Sequence, residues 1–281
     1  MYISDETIEK FIKEDVPYID LTSHILNIGE QNGRIRFICR EEAVICGTEE
    51  VLRVFQKLNV KPVSYLPSGS KVGPKTVIVE GEGSSEKLHM VWKVSLNILE
   101  YASGIATRTS RLLENVRKVN PNIQVVATRK GFPGTKELSI KAVVEGGGLP
   151  HRLGLSESVL IFSQHVTFLG GMDNLLKEMD SIRSKACENR VFIEVERVEE
   201  AIKAAEAGVD GIQFDKINSE ELSEAVKTLR NINPKLVILA AGGINISNAA
   251  DYAKTGIDAI VTSAVYFGKP VDIGTEMEKI N

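Results

Sequence analysis

EEAIKAAEAGVDGIQFD (residues 199–215) and SNAADYAKTGIDAIVTS (247–263) follow one plan. Each begins with an amphipathic run, meets a glycine (Gly208, Gly256), passes an aspartate and ends in a short apolar run. A glycine after the last helical residue is the usual helix stop, because it takes left-handed backbone without a Cβ clash. A short apolar run bounded by turn signals is a buried strand. Helix, stop and buried strand, used twice, is the mark of repeated βα units.

Working outward, the texture holds from Gln124 onward. IQVVAT, SVLIFSQ, VFIEVE, DGIQFD, KLVILAAGG and DAIVTSA alternate with the helical KELSIKAVVEGG, MDNLLKEMDSIRSKACE, VEEAIKAAEAG, SEELSEAVKTLRN and ISNAADYAKTG. Near-continuous apolar strands between amphipathic helices imply a parallel sheet with helices outside, and a barrel of about six or seven strands is the economical fit. The first third reads differently. Ser4 caps a helix ending near Asp15, VPYIDLTSHIL reads as a loop, GRIRFICREEAVICG as a half-buried antiparallel pair, and Glu49 to Leu58 as a helix. This is an α+β layer, followed from Ser84 to Asn120 by a helix pair expected to join two domains. In its middle, Ser103, Gly104 and Ala106 suit close helix packing. The expected division is residues 1–105 as the N-terminal domain, completed by 268–281, and 106–267 as the barrel.

The 281 residues are 43% hydrophobic and 26% charged, as in an ordinary globular protein. A formal charge of −4 gives no global attraction to nucleic acid or anionic membrane, so a polyanion site must be local. The amino end lacks a basic start followed by an apolar stretch, and no run is long enough for a membrane helix, so a cytoplasmic location is expected. Cys39, Cys46 and Cys187 form no CxxC pair and are expected to be buried thiols rather than a disulfide framework or zinc site.

In a parallel barrel the carboxyl ends of the strands converge on one face, where sites are built. Here they carry Arg129 and Lys130, then Gln164 and His165, Glu194 and Glu196, Asp215, the Ala241-Gly242-Gly243 turn, and Thr262 with Ser263. Each has a plainer reading. Arg129 and Lys130 suit a solvated loop, Asp215 a helix cap, and AAGGIN a tight turn. Glu194 and Glu196 alternate, so only one can face the interior. Taken together they bring cations, carboxylates and glycines to one mouth, where a glycine pair before Ser247 at a helix start can hold phosphate on backbone N–H groups. EGGGLPHR adds His151 and Arg152, and guanidinium binds carboxylate and phosphate alike.

The segment TRKGFPGTKELSIKAVVEGGGLPHRLGLSESVLIFSQH, with SLNILEYASGIATRT before it and IEVE, FDK, AAGGIN and TGIDAIVTSAV after it, resembles the quinolinate phosphoribosyltransferase (nicotinate-nucleotide pyrophosphorylase) family. The resemblance implies an N-terminal open α/β sandwich layer and an incomplete, TIM-like, phosphate-binding α/β barrel. It also implies a homodimer, or a hexamer of such dimers, in which one subunit's N-terminal domain covers the other's barrel. By the same resemblance Arg129, Lys130, His151 and Arg152 match the basic pocket for an acidic substrate and phosphates, Lys130 having a catalytic part. Glu194 and Asp215 match the carboxylates near the ribose and a magnesium ion, held mainly through water. Ala241, Gly242, Gly243 and Ser263 match the 5′-phosphate site. Lys93 stands where the family has an arginine that reaches the neighbouring subunit.

The departures are specific. Where the family has a lysine, Phe162 stands in IFSQH; Gly131 replaces a hydroxyl residue and Ala241 a serine. An apolar ring cannot neutralise an anion, so a charge-assisted contact worth about 1.5 to 3 kcal/mol is missing. This altered pattern is similar to the ModD branch of pyrophosphorylases. The implied activity is transfer of phosphoribose from phosphoribosyl pyrophosphate to an acidic, nitrogen-containing acceptor. The alternatives are quinolinate phosphoribosyltransferase itself, serving NAD biosynthesis, and a non-catalytic anion-binding protein linked to molybdate transport.

Overall fold

The strands of the second half form one sheet, with every neighbouring pair parallel. Its spatial order is Leu149–Pro150, Gln124–Ala127, Ala259–Thr262, Val237–Ala241, Gly211–Asp215, Val191–Val195, Val159–Ile161. The short strand Leu149–Pro150 is the one the sequence did not separate from its glycine-rich surroundings. Strands that follow one another from Val159 to Thr262 are neighbours, and Ala259–Thr262 then pairs back onto Gln124–Ala127. The sheet therefore curls as a barrel, yet its edges are Leu149–Pro150 and Val159–Ile161, two strands consecutive in the chain, and the ring stays open between them.

Alternation sorts the side chains. Ile193, Val195, Ile212, Phe214, Ile238, Ala240 and Ile260 are buried on one face, toward the buried sides of helices Val198–Glu206, Ser219–Ile232 and Ala249–Lys254. On the other face Leu239, Ala241, Ala259 and Val261 cluster with Val126, Phe192 and Val237. Gly211 makes room for that inner cluster, since a Cβ there would lie 2.2 Å from the Phe192 ring.

The computed structural model describes every residue from Met1 to Asn281. It comprises two compact units, one of residues Met1–Ser110, Phe132–Gly147 and Tyr266–Asn281, the other of Arg111–Gly131 and Gly148–Val265. These bounds differ from the division drawn from sequence: helix Lys136–Glu145, read there as part of the barrel, packs in the first unit.

The first unit holds a four-stranded antiparallel sheet ordered Ile273–Lys279, Asn32–Cys39, Thr76–Ser84, Lys61–Tyr65. Asn32–Cys39 buries alternate residues, among them Ile35 and Phe37, in a core with Val51, Val54, Phe55, Ile78 and Leu88. GRIRFICREEAVICG is not a hairpin: Asn32–Cys39 pairs with two other strands, and Ala43–Val44 pairs with Lys71–Val72. VPYIDLTSHIL is not all loop either, because Asp20 accepts from the Thr22 N–H and caps a helix, Leu21–Leu26. The expected helix pair is one unbroken helix, Ser85–Arg117. Its small residues serve close packing: the Ser103 hydroxyl accepts the Cys46 N–H at 3.0 Å and the Thr107 hydroxyl the Val44 N–H at 2.9 Å. Of the thiols, Cys39 and Cys46 are buried as expected, whereas Cys187 is exposed. No helix is long and apolar enough to cross a membrane.

Candidate active site

A cavity of about 530 Å³ lies within the barrel unit. Arg129, Lys130, His151, Arg152, Phe162, Glu194, Asp215, Ala241, Gly242, Gly243 and Ser263 all line it, from the seven strands of the sheet and the segments that follow them. Lys93 does not; it is exposed on helix Ser85–Arg117 in the first unit, its ammonium 4.6 Å from the centre of the Trp92 ring. Gln164 and His165 are not lining residues, and Glu196 faces a neighbouring depression with Arg197 and Glu200. Glu194 is thus the inward member of the alternating pair.

The cations are positioned by the sheet. Thr128 donates its N–H to the Thr262 carbonyl at 3.0 Å, extending the pairing of its strand, and the Lys130 N–H turns back to the Thr128 hydroxyl at 3.1 Å. His151 donates its N–H to the Ala127 carbonyl at 2.8 Å. Arg152 follows with φ of 49°, a left-handed conformation that costs a non-glycine residue about 1–2 kcal/mol, and donates Nη1 to the Ser158 carbonyl at 3.1 Å. Lys216, missed by the sequence reading, also has positive φ (60°) and lines the cavity. Such strain concentrates at functional sites, and the neighbouring ladder bonds hold it in place.

Glu194 and Asp215 line the same cavity. The Gln213 amide donates Nε2 to Glu194 Oε2, and Lys216 Nζ lies 3.0 Å from Asp215 Oδ2. Burial pushes the Glu194 carboxyl above its usual range, the Gln213 bond opposes this, and the Asp215 charge adds to it. Burial likewise lowers His151, against a contribution from Gln213, while the charges of Arg152 and Arg129 lower it further. Burial also lowers Arg152, helped by Arg129. Crowded cations and partly desolvated carboxylates together favour a ligand that carries several negative charges and also presents a centre of positive charge.

The glycine turn is built for close approach. Gly242 (φ 92°) admits no side chain, because a Cβ would lie 2.5 Å from the Lys216 nitrogen and 2.8 Å from Asp215 Oδ1. Gly243 (φ 72°) opens onto free space. The helix beyond starts at Ala249 rather than Ser247, and the Ser247 N–H is taken by Asn245 Oδ1 at 2.9 Å. The glycine turn, rather than a helix start at Ser247, is therefore the candidate phosphate contact. The Thr262 hydroxyl donates to the Ile244 carbonyl at 2.6 Å and accepts the Ala264 N–H at 3.0 Å, tying this turn to the loop that carries Ser263.

Phe162 and Leu160 make one wall apolar. The Phe162 ring stacks on His165 at 5.8 Å, and the His165 Nδ1 accepts the Phe162 N–H at 3.0 Å. Gln213, also missed by the sequence reading, carries a signal in GIQFD: it stands two residues before Asp215 and so shares its inward face.

No group of three or more His, Cys, Asp or Glu side chains gathers as a metal site. Glu194 and Asp215, on adjacent strands of one cavity, are the two carboxylates that could hold a magnesium ion, which takes few protein ligands and keeps several waters.

Comparison with known proteins agrees with this architecture. The models of the quinolinate phosphoribosyl transferase N-terminal and C-terminal domains match residues 20–103 and 105–276. A Pasteurella multocida protein that bears the pyrophosphorylase name ModD is 33% identical over 279 residues, covering 99% of each chain. A Rhodobacter capsulatus protein of the same name is 36% identical over 257 residues, 91% of this chain and 98% of its own. Among solved structures, the nicotinate-nucleotide pyrophosphorylase of Ehrlichia chaffeensis superposes with a TM-score of 0.89 at 28% identity, covering 99% of this chain and 100% of that one. With both domain models matched in order and relatives alike over nearly their whole length, the chain belongs to the quinolinate phosphoribosyltransferase family and is, by class, a phosphoribosyltransferase.

Proposed function

We propose that the protein transfers phosphoribose from phosphoribosyl pyrophosphate to an acidic, nitrogen-containing acceptor other than quinolinate, releasing pyrophosphate, as a ModD-like member of its family. The observation that carries this is the composition of one cavity: a cluster of cations, the Glu194–Asp215 pair, and the apolar Phe162 where a further cation would hold a second acceptor carboxylate.

Arg129, Lys130, Arg152 and His151 hold the pyrophosphate and the acceptor's carboxylate, guanidinium being suited to both. The Gly242–Gly243 turn and Ser263 receive the 5′-phosphate. As the bond from the anomeric carbon to pyrophosphate lengthens, positive charge grows on the ribose, and Glu194 and Asp215 are placed to stabilise it. Magnesium, when bound, offsets charge on the leaving pyrophosphate. Lys130 supplies its ammonium to the same departing oxygen. In a head-to-tail homodimer, Lys93 completes the partner subunit's cavity.

The experiment is titration calorimetry of phosphoribosyl pyrophosphate with magnesium into the protein, followed by quinolinate. Binding of the first without response to the second supports the proposal and opens an acceptor screen. Quinolinate binding followed by formation of nicotinate mononucleotide would replace it with the NAD-biosynthetic activity.

A further inference from the structure

We propose that Gln213 selects the acceptor, its side-chain carbonyl oxygen receiving an N–H from a flat heterocycle that turns an uncharged edge to Phe162. This rests on the phosphoribosyl-transfer reading of the same cavity and narrows its substrate class.

In the sheet Gln213 stands between Glu194 on one neighbouring strand and Leu239 on the other. It is 4% exposed, and the inner cluster beside it is apolar. Packing alone would be met by leucine or methionine, whereas a buried amide must have its polar atoms matched. Only half of this amide is. Nε2 donates to Glu194 Oε2, and the reverse orientation would set two acceptor oxygens face to face, so the amide is fixed. Oε1 is then left buried without a partner in the cavity wall. His151 Nε2, in the same wall, is also without a bond that meets hydrogen-bond geometry, and Gln213 lies near enough to this ring to oppose the lowering of its pKa, so a ligand N–H competes with the imidazole for Oε1. An acceptor-only oxygen asks for a donor. A carboxylate offers none, and a ring N–H or an exocyclic amine does. The adjoining Phe162 and Leu160 surface accommodates the uncharged part of such a ring, while Arg129 and Arg152 take its carboxylate.

The test uses two probe pairs on the full-length protein, with and without phosphoribosyl pyrophosphate and magnesium: pyrrole-2-carboxylate against furan-2-carboxylate, and 6-aminonicotinate against nicotinate. Each pair differs in one N–H-bearing group. The expected result is that the N–H member binds on the order of tenfold more tightly, and that the preference falls to about threefold or less in Gln213→Met. Equal affinity within the pairs, no binding by any probe, or a preference that survives Gln213→Met would overturn the inference. The wild-type comparison decides the matter even if Gln213→Met fails to fold. A preference without any binding of phosphoribosyl pyrophosphate would sink the transferase reading while leaving Gln213 as a selector; the opposite pattern would do the reverse.

Discussion

At the scale of residues, function turns on which side chains share the cavity wall. Arg129→Ala should weaken phosphoribosyl pyrophosphate binding by about 1.5–3 kcal/mol, the worth of a charge-assisted contact, with little change in thermal stability because Arg129 is exposed. Calorimetry showing unchanged affinity would remove Arg129 from the site. Phe162→Lys restores a cation to the apolar wall and should raise quinolinate affinity by about tenfold or more. If quinolinate still fails to bind, the pocket has diverged beyond this one position.

Elements set those residues in place, and they also explain what the sequence could and could not disclose. Gly242→Ala should cost about 1–3 kcal/mol through the positive φ and should displace Asp215, whose carboxylate oxygen occupies the space of the new methyl group. A lower melting temperature together with weaker magnesium-dependent ligand binding is expected; an unchanged protein would show that the turn tolerates a side chain. The barrel was legible because strands such as Gly211–Asp215, Val237–Ala241 and Ala259–Thr262 are buried on both faces and read as continuous apolar runs between periodic helices. The N-terminal sheet was less so. Asn32–Cys39 alternates as an antiparallel strand should, yet its partners lie 37 residues or more away in sequence, at Thr76–Ser84 and Ile273–Lys279, and no local pattern names them. The expected helix pair is one helix, in which Ser103 and Thr107 hold Cys46 and Val44, and that packing outweighs the low helix propensity of Gly104. At the site, charged residues and glycines stood out, whereas Gln213 was hidden because a single amide in an apolar strand has no motif around it.

For the whole molecule, the chain's order along the two units matters. The segment Phe132–Gly147 leaves the barrel after its first strand and joins the N-terminal unit, where Lys141 Nζ meets Glu49 at 2.7 Å and the buried Glu50 at 2.6 Å. Lys141→Ala leaves Glu50 buried and uncompensated, so a loss of about 3–5 kcal/mol is expected in denaturant unfolding; a loss below about 1 kcal/mol would show that the pair is dispensable. Acid probes the same network. Burial alone would raise the Glu49 carboxyl, but bonds from Lys141 and Ser68 outweigh it and hold it at about 2, against an ordinary 4.5. A lowered folded value stabilises the fold above pH 4.5, and that stability should fade as pH drops from 4.5 toward 2. A melting temperature flat across that window would contradict it. The proposed dimer has its own test. Lys93→Ala and Arg129→Ala homodimers should each be impaired, and hybrids formed by mixing and reassociating them should regain activity, since one of the two shared cavities would then be intact. Absence of recovery would confine Lys93 to its own subunit.

The seam between Leu149–Pro150 and Val159–Ile161 gives the ligand a further part to play. Backbone hydrogen bonds never join these edges, yet His151 and Arg152 follow one and Phe162 the other, all around one cavity. On the proposed function, a molecule gripped from both sides would close by its own contacts a ring that the polypeptide leaves open, making the substrate a removable keystone of the barrel.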